Sequence, residues 1–525
     1  MRHEKSTLRR LKINLLGRFP PLFWLFFCGV PALTFLPYLL LYASAPPGTV
    51  FTGFFFASDD LESYLADMRL ATYGWKWNFM FTAEDTRGGY IFLFYILWGK
   101  IAQVLGLPLL FVFHLARLIS SWLLISAAWR YLETFPLRES ERRWALIFFC
   151  LSIQFPRFYD REWGLLLIFH PELYPAANML LLPHVAFSQA LFLLAACYLR
   201  EWARTGELGP VLRGNLALGA LALVHPYMLL PYALLVLLTL LLHRSSSFLK
   251  RACSAASFFL LPLPYLAYLG FLWRQPDIRA WQAQSATPAP LTEILTYDAF
   301  LLLFALPGFY LLFRRQNPHR ETASFWAAPF LLVLPPLSFQ ERLLEAVGPG
   351  FCFAAGVVAA AIASRCRTRW GSSLLALLLL VPFISVLFTP VSRFSPWSFM
   401  PREEVALYQW MEDHLRPTDV VLSDALHSLR LPARVGCRVW AGHHDQTLDA
   451  KKKRAYVQRF FHDPTFDRET FLRRNRIDYV LWDTARSPLK PPAVLVLVQK
   501  AGNLSLFYNA AAENSVKPIA QRLKK

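Results

Sequence analysis

The sequence predicts an α-helical polytopic membrane protein of about 11 spans with a C-terminal extracytoplasmic α/β domain. Three observations carry that prediction. Mean hydropathy is +0.35, with 55% hydrophobic and only 17% charged residues, whereas soluble domains carry about a quarter charged residues. Apolar runs recur along residues 21–395 with basic loops between them, and near Pro401 the composition changes to that of a soluble module. Phe at 45 and Trp at 17 suit rings that face lipid or sit in interfacial belts.

Residues 1–20 read as a basic cytoplasmic N-terminus, with Arg9, Arg10, Lys12 and Arg18 holding the start of a first span at 21–43. That run suits a retained helix, because the core of a cleaved signal is about 7–15 residues. The polar stretch 44–89 then forms an extracytoplasmic loop. Residues 90–107 are apolar but carry Lys100 and Gln103, which predicts a short interfacial or re-entrant helix. The second span falls at 108–131 and leaves the basic stretch 138–143 inside.

Further spans are expected at 144–158, 180–199, 214–229, 231–243, 252–272, 297–313, 324–339, 346–363 and 373–390. The inside loops then carry Arg200 and Arg204, His243 to Arg251, Arg314 and Arg315, and Arg365, Arg367 and Arg369. This positive-inside pattern accounts for the net charge of +19 and excludes nucleic acid as the partner; membrane lipids are the expected surroundings. Residues 396–525 form the C-terminal domain, with helices at 402–415, 447–461 and 467–475. Strands are expected at 419–424, 434–441 and 477–482. Seven cysteines, with no Cys-x-x-Cys, indicate neither a zinc site nor a disulfide framework.

The most informative segment is Ser58-Asp59-Asp60-Leu61-Glu62-Ser63-Tyr64-Leu65-Ala66-Asp67-Met68-Arg69. Helical spacing puts Asp60, Tyr64 and Asp67 on one face and Leu61, Leu65 and Met68 on an adjoining apolar one. Such a helix would lie on the membrane surface with its acidic face toward a cavity, and Ser58 or Asp59 would cap it. The plainer alternative is that the two aspartates only cap and solvate a juxtamembrane helix.

His170, His184 and His225 stand at outward span ends, each beside a proline that breaks helix hydrogen bonding and suits a short span opening onto a cavity. Ionisable groups at membrane depth are functional candidates, although a histidine bonded to a neighbouring helix would look the same. His443-His444-Asp445 has no third ligand at metal-binding spacing and reads as a surface loop. No Walker loop and no Gly-x-Gly-x-x-Gly is present, which argues against a soluble nucleotide donor.

An aspartate shortly after the first span, with tyrosine four residues on, resembles the GT-C glycosyltransferases, among them the protein O-mannosyltransferases and the lipid A aminoarabinose transferases. Asp60 to Tyr64 fills that place, and Glu84-Asp85-Thr86-Arg87 fills the acidic and basic pair before the next apolar helix. Leu61 replaces an acidic residue of the pattern, and the familiar Lys-Pro-Pro is missing. The layout, including Gly442-His443-His444-Asp445-Gln446-Thr447, is similar to uncharacterised bacterial members of this kind.

The resemblance implies transfer of a sugar from a polyprenyl-phosphate donor to a lipid, glycan or protein acceptor. That reaction needs a carboxylate to take the acceptor proton and cations to hold the departing phosphate. It implies Asp60 as base with Asp59 second, Arg342 and then Arg87 as phosphate contacts, and Tyr64, Glu84, His184 and His225 lining the cavity. No cofactor is implied, and a divalent cation stays open. For each arginine the alternative is an interfacial anchor that snorkels to headgroups.

Two other classes fit the chain. A transporter would show duplicated halves and mid-span charges, neither of which the sequence has. A non-catalytic scaffold for envelope polysaccharide assembly would use the C-terminal domain to bind glycan.

Overall fold

A computed structural model describes residues 20–56, 58–154, 158–160, 165–167, 169–242, 248–285, 287–365, 369–389 and 397–511. The basic residues before Pro20, His243 to Ser247 and Arg367, all used to orient the chain, lie outside the described residues, as does the Lys-rich C-terminal stretch.

Pro21 at the first position of α1 (Pro21–Ala43) uses its preset φ where the missing N–H costs nothing. A polar loop then carries β1 (Thr49–Phe51) and α2 (Ser58–Leu70). The short helix expected within 90–107 is α3 (Leu93–Leu105), only 13 residues long. α4 (Leu109–Glu133) is a full span, followed by α5 (Glu139–Leu151).

Where one span was expected at 180–199 there are two helices, α6 (Pro175–Leu181) and α7 (Pro183–Thr205). Pro183 has no N–H for the Met179 carbonyl, and buried Arg117 of α4 turns its guanidinium to the Met179 and Leu180 carbonyls instead, at 3.4 and 3.1 Å. Next come α8 (Leu208–Val224), α9 (Leu229–Leu242), α10 (Phe248–Ala256), α11 (Pro262–Leu272), α12 (Pro276–Gln284), α13 (Leu291–Tyr297), α14 (Ala299–Arg314), α15 (His319–Ala327), α16 (Leu344–Arg365) and α17 (Arg369–Phe388).

Among the described residues three helices are long and apolar enough to cross a membrane: Pro21–Ala43, Leu109–Glu133 and Glu341–Arg365. Two bent pairs, at 61° and 99°, bring that to five if each pair is one span. Four shorter apolar helices, Leu93–Leu105, Leu208–Val224, Pro226–Leu242 and Ser373–Phe388, accompany them, so the expected 11 or so spans include several broken or short ones. Proline and polar breaks cut several apolar runs; the run expected at 324–339 is a nine-residue helix followed by a 3-10 turn and Pro335-Pro336. Short helices persist at membrane depth only where neighbouring protein satisfies their ends. Leu25, Leu39, Leu237, Leu303 and Leu377 remain exposed on helix surfaces, as expected of side chains that face lipid.

The C-terminal part forms a five-stranded sheet. Its elements are β2 (Phe399–Pro401), which pairs with β1 rather than the sheet, α18 (Arg402–His414), β3 (Val420–Leu422), α19 (Ala425–Arg434), β4 (Arg438–Val439), α20 (Ala450–His462), α21 (Arg468–Arg474), β5 (Tyr479–Asp483), β6 (Leu495–Ala501) and β7 (Leu504–Asn509). The sheet order is β4-β3-β5-β7-β6, parallel at β4-β3-β5 and antiparallel beyond. Sequence patterning missed α19, capped by the Asp424 side chain accepting from the Leu426 and His427 amides, and the hairpin β6–β7. Because α19 runs to Arg434, the strand expected at 434–441 shrinks to two residues.

This domain is clamped onto the first loop. Arg434 forks onto Glu62 at 2.6 and 3.0 Å, the Val439 amide donates to the Met80 carbonyl, and Thr447 Oγ1 donates to the Phe81 carbonyl.

Candidate functional site

The apolar face of the loop helix α2 is covered by protein. Leu61, Leu65 and Met68 are at most 2% exposed because they pack into protein, between α3 below and α19 above. Gly99 permits the close approach, since a Cβ there would stand 2.0 Å from the Met68 carbonyl oxygen. The face carrying Asp60 and Tyr64 meets His443 of the C-terminal domain on one side and the rings of Tyr95 and His184 on the other. Asp67, expected on that face, is buried and accepts from Trp77 Nε1 at 2.7 Å; burial pushes its carboxyl up to about 8, which leaves it neutral.

His443 comes from the C-terminal domain. Its Nδ1 accepts from the Asp445 and Gln446 amides at 3.2 and 3.4 Å, so Nε2 carries the proton and donates to Asp60 Oδ1 at 2.9 Å. The reading of His443 as part of a surface loop is thereby corrected: the imidazole is 3% exposed. Burial pushes the Asp60 carboxyl up, but the His443 hydrogen bond and the charges of His443, His444 and Arg342 bring it below its ordinary value. Asp59 goes the other way, raised by burial and by the charge of Asp60. Two adjacent carboxyls are thus split, with Asp60 held ionised. Its side chain keeps 41% of its surface.

Tyr64 stacks on Tyr95 at 4.5 Å and meets the His184 ring edge-on at 4.8 Å. The Tyr95 hydroxyl bonds His184 Nδ1 at 2.5 Å, and the His184 and His225 rings stand 4.9 Å apart. His225 Nδ1 lies 2.9 Å from Glu345 Oε2, which also accepts from Ser188, while Tyr227 donates to Glu345 Oε1 at 2.7 Å. The proline breaks at 183 and 226 are what turn both histidines inward.

Arg342, one turn before Glu345, sits beside the Tyr227 hydroxyl and within the fields of Tyr64, Glu172 and Asp60. Among the described residues no carboxylate forms an ion pair with it. A half-buried guanidinium without a carboxylate partner is matched to a phosphate.

One cluster therefore holds Asp60, Asp59, Tyr64, His184, His225 and Arg342. It does not gather Glu84 and Arg87. Glu84 bonds Lys453 Nζ at 2.6 Å and the Thr82 hydroxyl, and its neighbour Asp85 meets Arg438 and Arg476 at 3.2 and 2.5 Å. The Arg87 side chain is exposed. His170 is bonded to Asp298 at 2.9 Å, away from the other two histidines. Glu345, Tyr227 and His443 were not foreseen as wall residues; the i, i+3 spacing of Arg342 and Glu345 was the signal available for one of them.

A divalent cation would have Asp59, His443 and His444 within reach, their ligand atoms lying within 4.8 Å of one another. Both His443 nitrogens are already engaged, which leaves two ligands where a tetrahedral ion wants three or four. The residues do not fit a resident ion. A second cluster, Asp424, His427 and Asp483, is better read as a buried imidazolium. Burial opposes the charge on His427, but Asp424, Asp483 and Glu404 push it to about 10.

No protein-family model matches the chain, and no curated protein matches it in sequence. Solved structures do match in fold. The apo oligosaccharyltransferase of Archaeoglobus fulgidus superposes with a TM-score of 0.52 at 13% identity, over 88% of this chain and 69% of its own. ArnT from Cupriavidus metallidurans, solved bound to undecaprenyl phosphate, gives 0.51 at 12% identity, over 93% of this chain and 98% of its own. The mycobacterial arabinofuranosyltransferase AftD gives 0.55 at 16% identity, over 93% of this chain and 42% of its own. The chain has the GT-C fold of these membrane glycosyltransferases.

Proposed function

We propose that this protein is a glycosyltransferase that moves a sugar from a polyprenyl-phosphate-linked donor to an acceptor on the outer face of a bacterial inner membrane. In this reading the N-terminus is cytoplasmic, and the first loop, 44–89, and the C-terminal domain, 396–525, lie outside. The observation that carries it is that an ionised carboxylate, Asp60, lies within the field of a guanidinium, Arg342, that has no ion pair among the described residues; the space between them is the proposed reaction hollow. ArnT, which shares the fold, was solved with undecaprenyl phosphate bound.

The acceptor hydroxyl gives its proton to Asp60 as its oxygen bonds to the anomeric carbon. The bond from that carbon to the phosphate oxygen breaks, and polyprenyl phosphate leaves with the electron pair against Arg342, inverting the anomeric centre. His443 orients Asp60. Tyr64, His184 and His225 line the sugar's side of the hollow, and Asp59 stands at its edge. Arg87 and Glu84 take no part in the step.

The test is Asp60→Asn in the full-length protein reconstituted in nanodiscs. Transfer of labelled sugar from an undecaprenyl-phosphate donor should fall by about 10²–10⁴ with the thermal midpoint unchanged. Full activity of that variant removes Asp60 from the mechanism. Uptake of an unaltered substrate into sealed vesicles would favour a transporter.

A further inference from the structure

Two concavities meet on the C-terminal domain beside Asp59. One, of about 560 Å³, runs between Trp397, the start of α19 at Asp424, and α20 at Phe461 and His462. The other, of about 990 Å³ and shallower, continues past the first turn of α20 at Lys451 and Lys452 to Gln284. His444, Arg454 and Gln458 border both, so the two lobes form one groove. Asp59 edges the first lobe, one residue from Asp60.

The wall chemistry selects an occupant. Gln458, His462 and Arg454 offer exposed donors and acceptors along the length, while Trp397 and Phe461, 7% and 2% exposed, close one end. Charges of both signs line it, Asp424, Asp445 and Asp449 with Lys451, Lys452 and Arg454. A polyanion would be repelled by the three carboxylates, and an acyl chain would leave all these groups unpaired. A hydroxyl-rich chain donates to carboxylates and accepts from cations. Each lobe has the size of a small-molecule site, roughly 300–1,000 Å³, and joined they suit several linked units rather than one.

We propose that this groove binds the acceptor and that the acceptor is an oligosaccharide chain, held so that one hydroxyl reaches Asp60 across Asp59. The proposal rests on the transferase reading for its last step, delivery of that hydroxyl, but not for the binding itself. The covalent step is unchanged: the hydroxyl proton passes to Asp60, the oxygen takes the anomeric carbon, and polyprenyl phosphate departs. The lipid-linked sugar then meets the base from Arg342 and the glycan from the C-terminal domain.

The test uses the full-length protein in nanodiscs without donor. The probe is a fluorescently labelled pool of oligosaccharides released by mild acid from the surface polysaccharide of the cell that makes the protein. Wild type should bind the pool. Gln458→Ala combined with His462→Ala, both exposed positions, should weaken binding at least tenfold, and Gln458→Trp should block the waist of the groove. Binding of undecaprenyl phosphate should not change in either variant. Unchanged glycan binding in both variants overturns the proposal, as does displacement of the pool by heparin, by a phospholipid extract or by peptides. Groove-dependent glycan binding without transfer from any polyprenyl-phosphate donor would sink the transferase reading and leave the groove. Wild-type transfer to a lipid acceptor by the groove variants would do the reverse.

Discussion

Two acidic pairs on the same loop meet opposite fates. Glu84 and Asp85 each face full cations, Lys453 on one side and Arg438 and Arg476 on the other, and their charge is spent on holding the C-terminal domain. Asp59 and Asp60, 25 residues earlier, face imidazoles. Asp60 receives one donor from His443 on a single oxygen. The cations differ in the same way, since Lys453 and Arg438 are ion-paired while Arg342 has no ion pair among the described residues. Residue type does not separate chemistry from clasp. The balance of charge against partner does, because a fully paired carboxylate has no capacity left for a substrate proton.

The comparison breaks most readily at Arg342. If its charge is reserved for phosphate, Arg342→Met should lower kcat/KM by about 10²–10³, the loss typical of one transition-state donor, and Arg342→Lys should recover part of it. The thermal midpoint should stay near wild type, because no ion pair is lost. A stability loss with little change in rate would place Arg342 with the clasp residues instead.

His443→Gln should have a smaller effect that shows in the pH profile. Glutamine can still donate to Asp60 but carries no charge, and burial then lifts the Asp60 carboxyl against only His444 and Arg342. A base works only when deprotonated, so raising its pKa moves the acid limb of kcat/KM to higher pH while the rate on the alkaline plateau falls little. An unshifted limb with a uniformly lower rate would mean that His443 only holds the domain in place.

Much of the frame was legible in the sequence because it is local. The i, i+4 spacing of Asp60 and Tyr64 and the apolar set Leu61, Leu65 and Met68 define α2 without its neighbours. The histidines beside proline announced helix breaks that turn His184 and His225 inward. What was lost is long-range. His443 reaches Asp60 across 383 residues, and nothing near either one signals the other. Apolar composition alone also hid the break inside 180–199, since a hydropathy window sees Pro183 as one residue among many, whereas the backbone loses a hydrogen bond there. The short strands of the C-terminal sheet escaped for a related reason: β4 is two residues and is fixed by the Met80 carbonyl of another segment.

The smallest expected effect sharpens the comparison from the other side. Arg87 belongs to the same acidic and basic stretch as Glu84, and the sequence pattern makes it a second phosphate contact. Its side chain is nevertheless exposed, and the bond that fixes its position is made by its backbone amide, which donates to Asp277 Oδ2 at 2.9 Å. Gly88 then turns the chain with φ +57, where a Cβ would strike the Trp77 carbonyl oxygen, so the local backbone is set by the glycine and not by the arginine. Arg87→Ala keeps both features and should change stability by less than about 0.5 kcal/mol and the transfer rate by less than about twofold. Gly88→Ala, beside it, should cost considerably more stability. If Arg87→Ala instead slows transfer as much as Arg342→Met does, the phosphate wall extends to this hairpin, and the division of the loop into a reactive pair and a clasping pair fails.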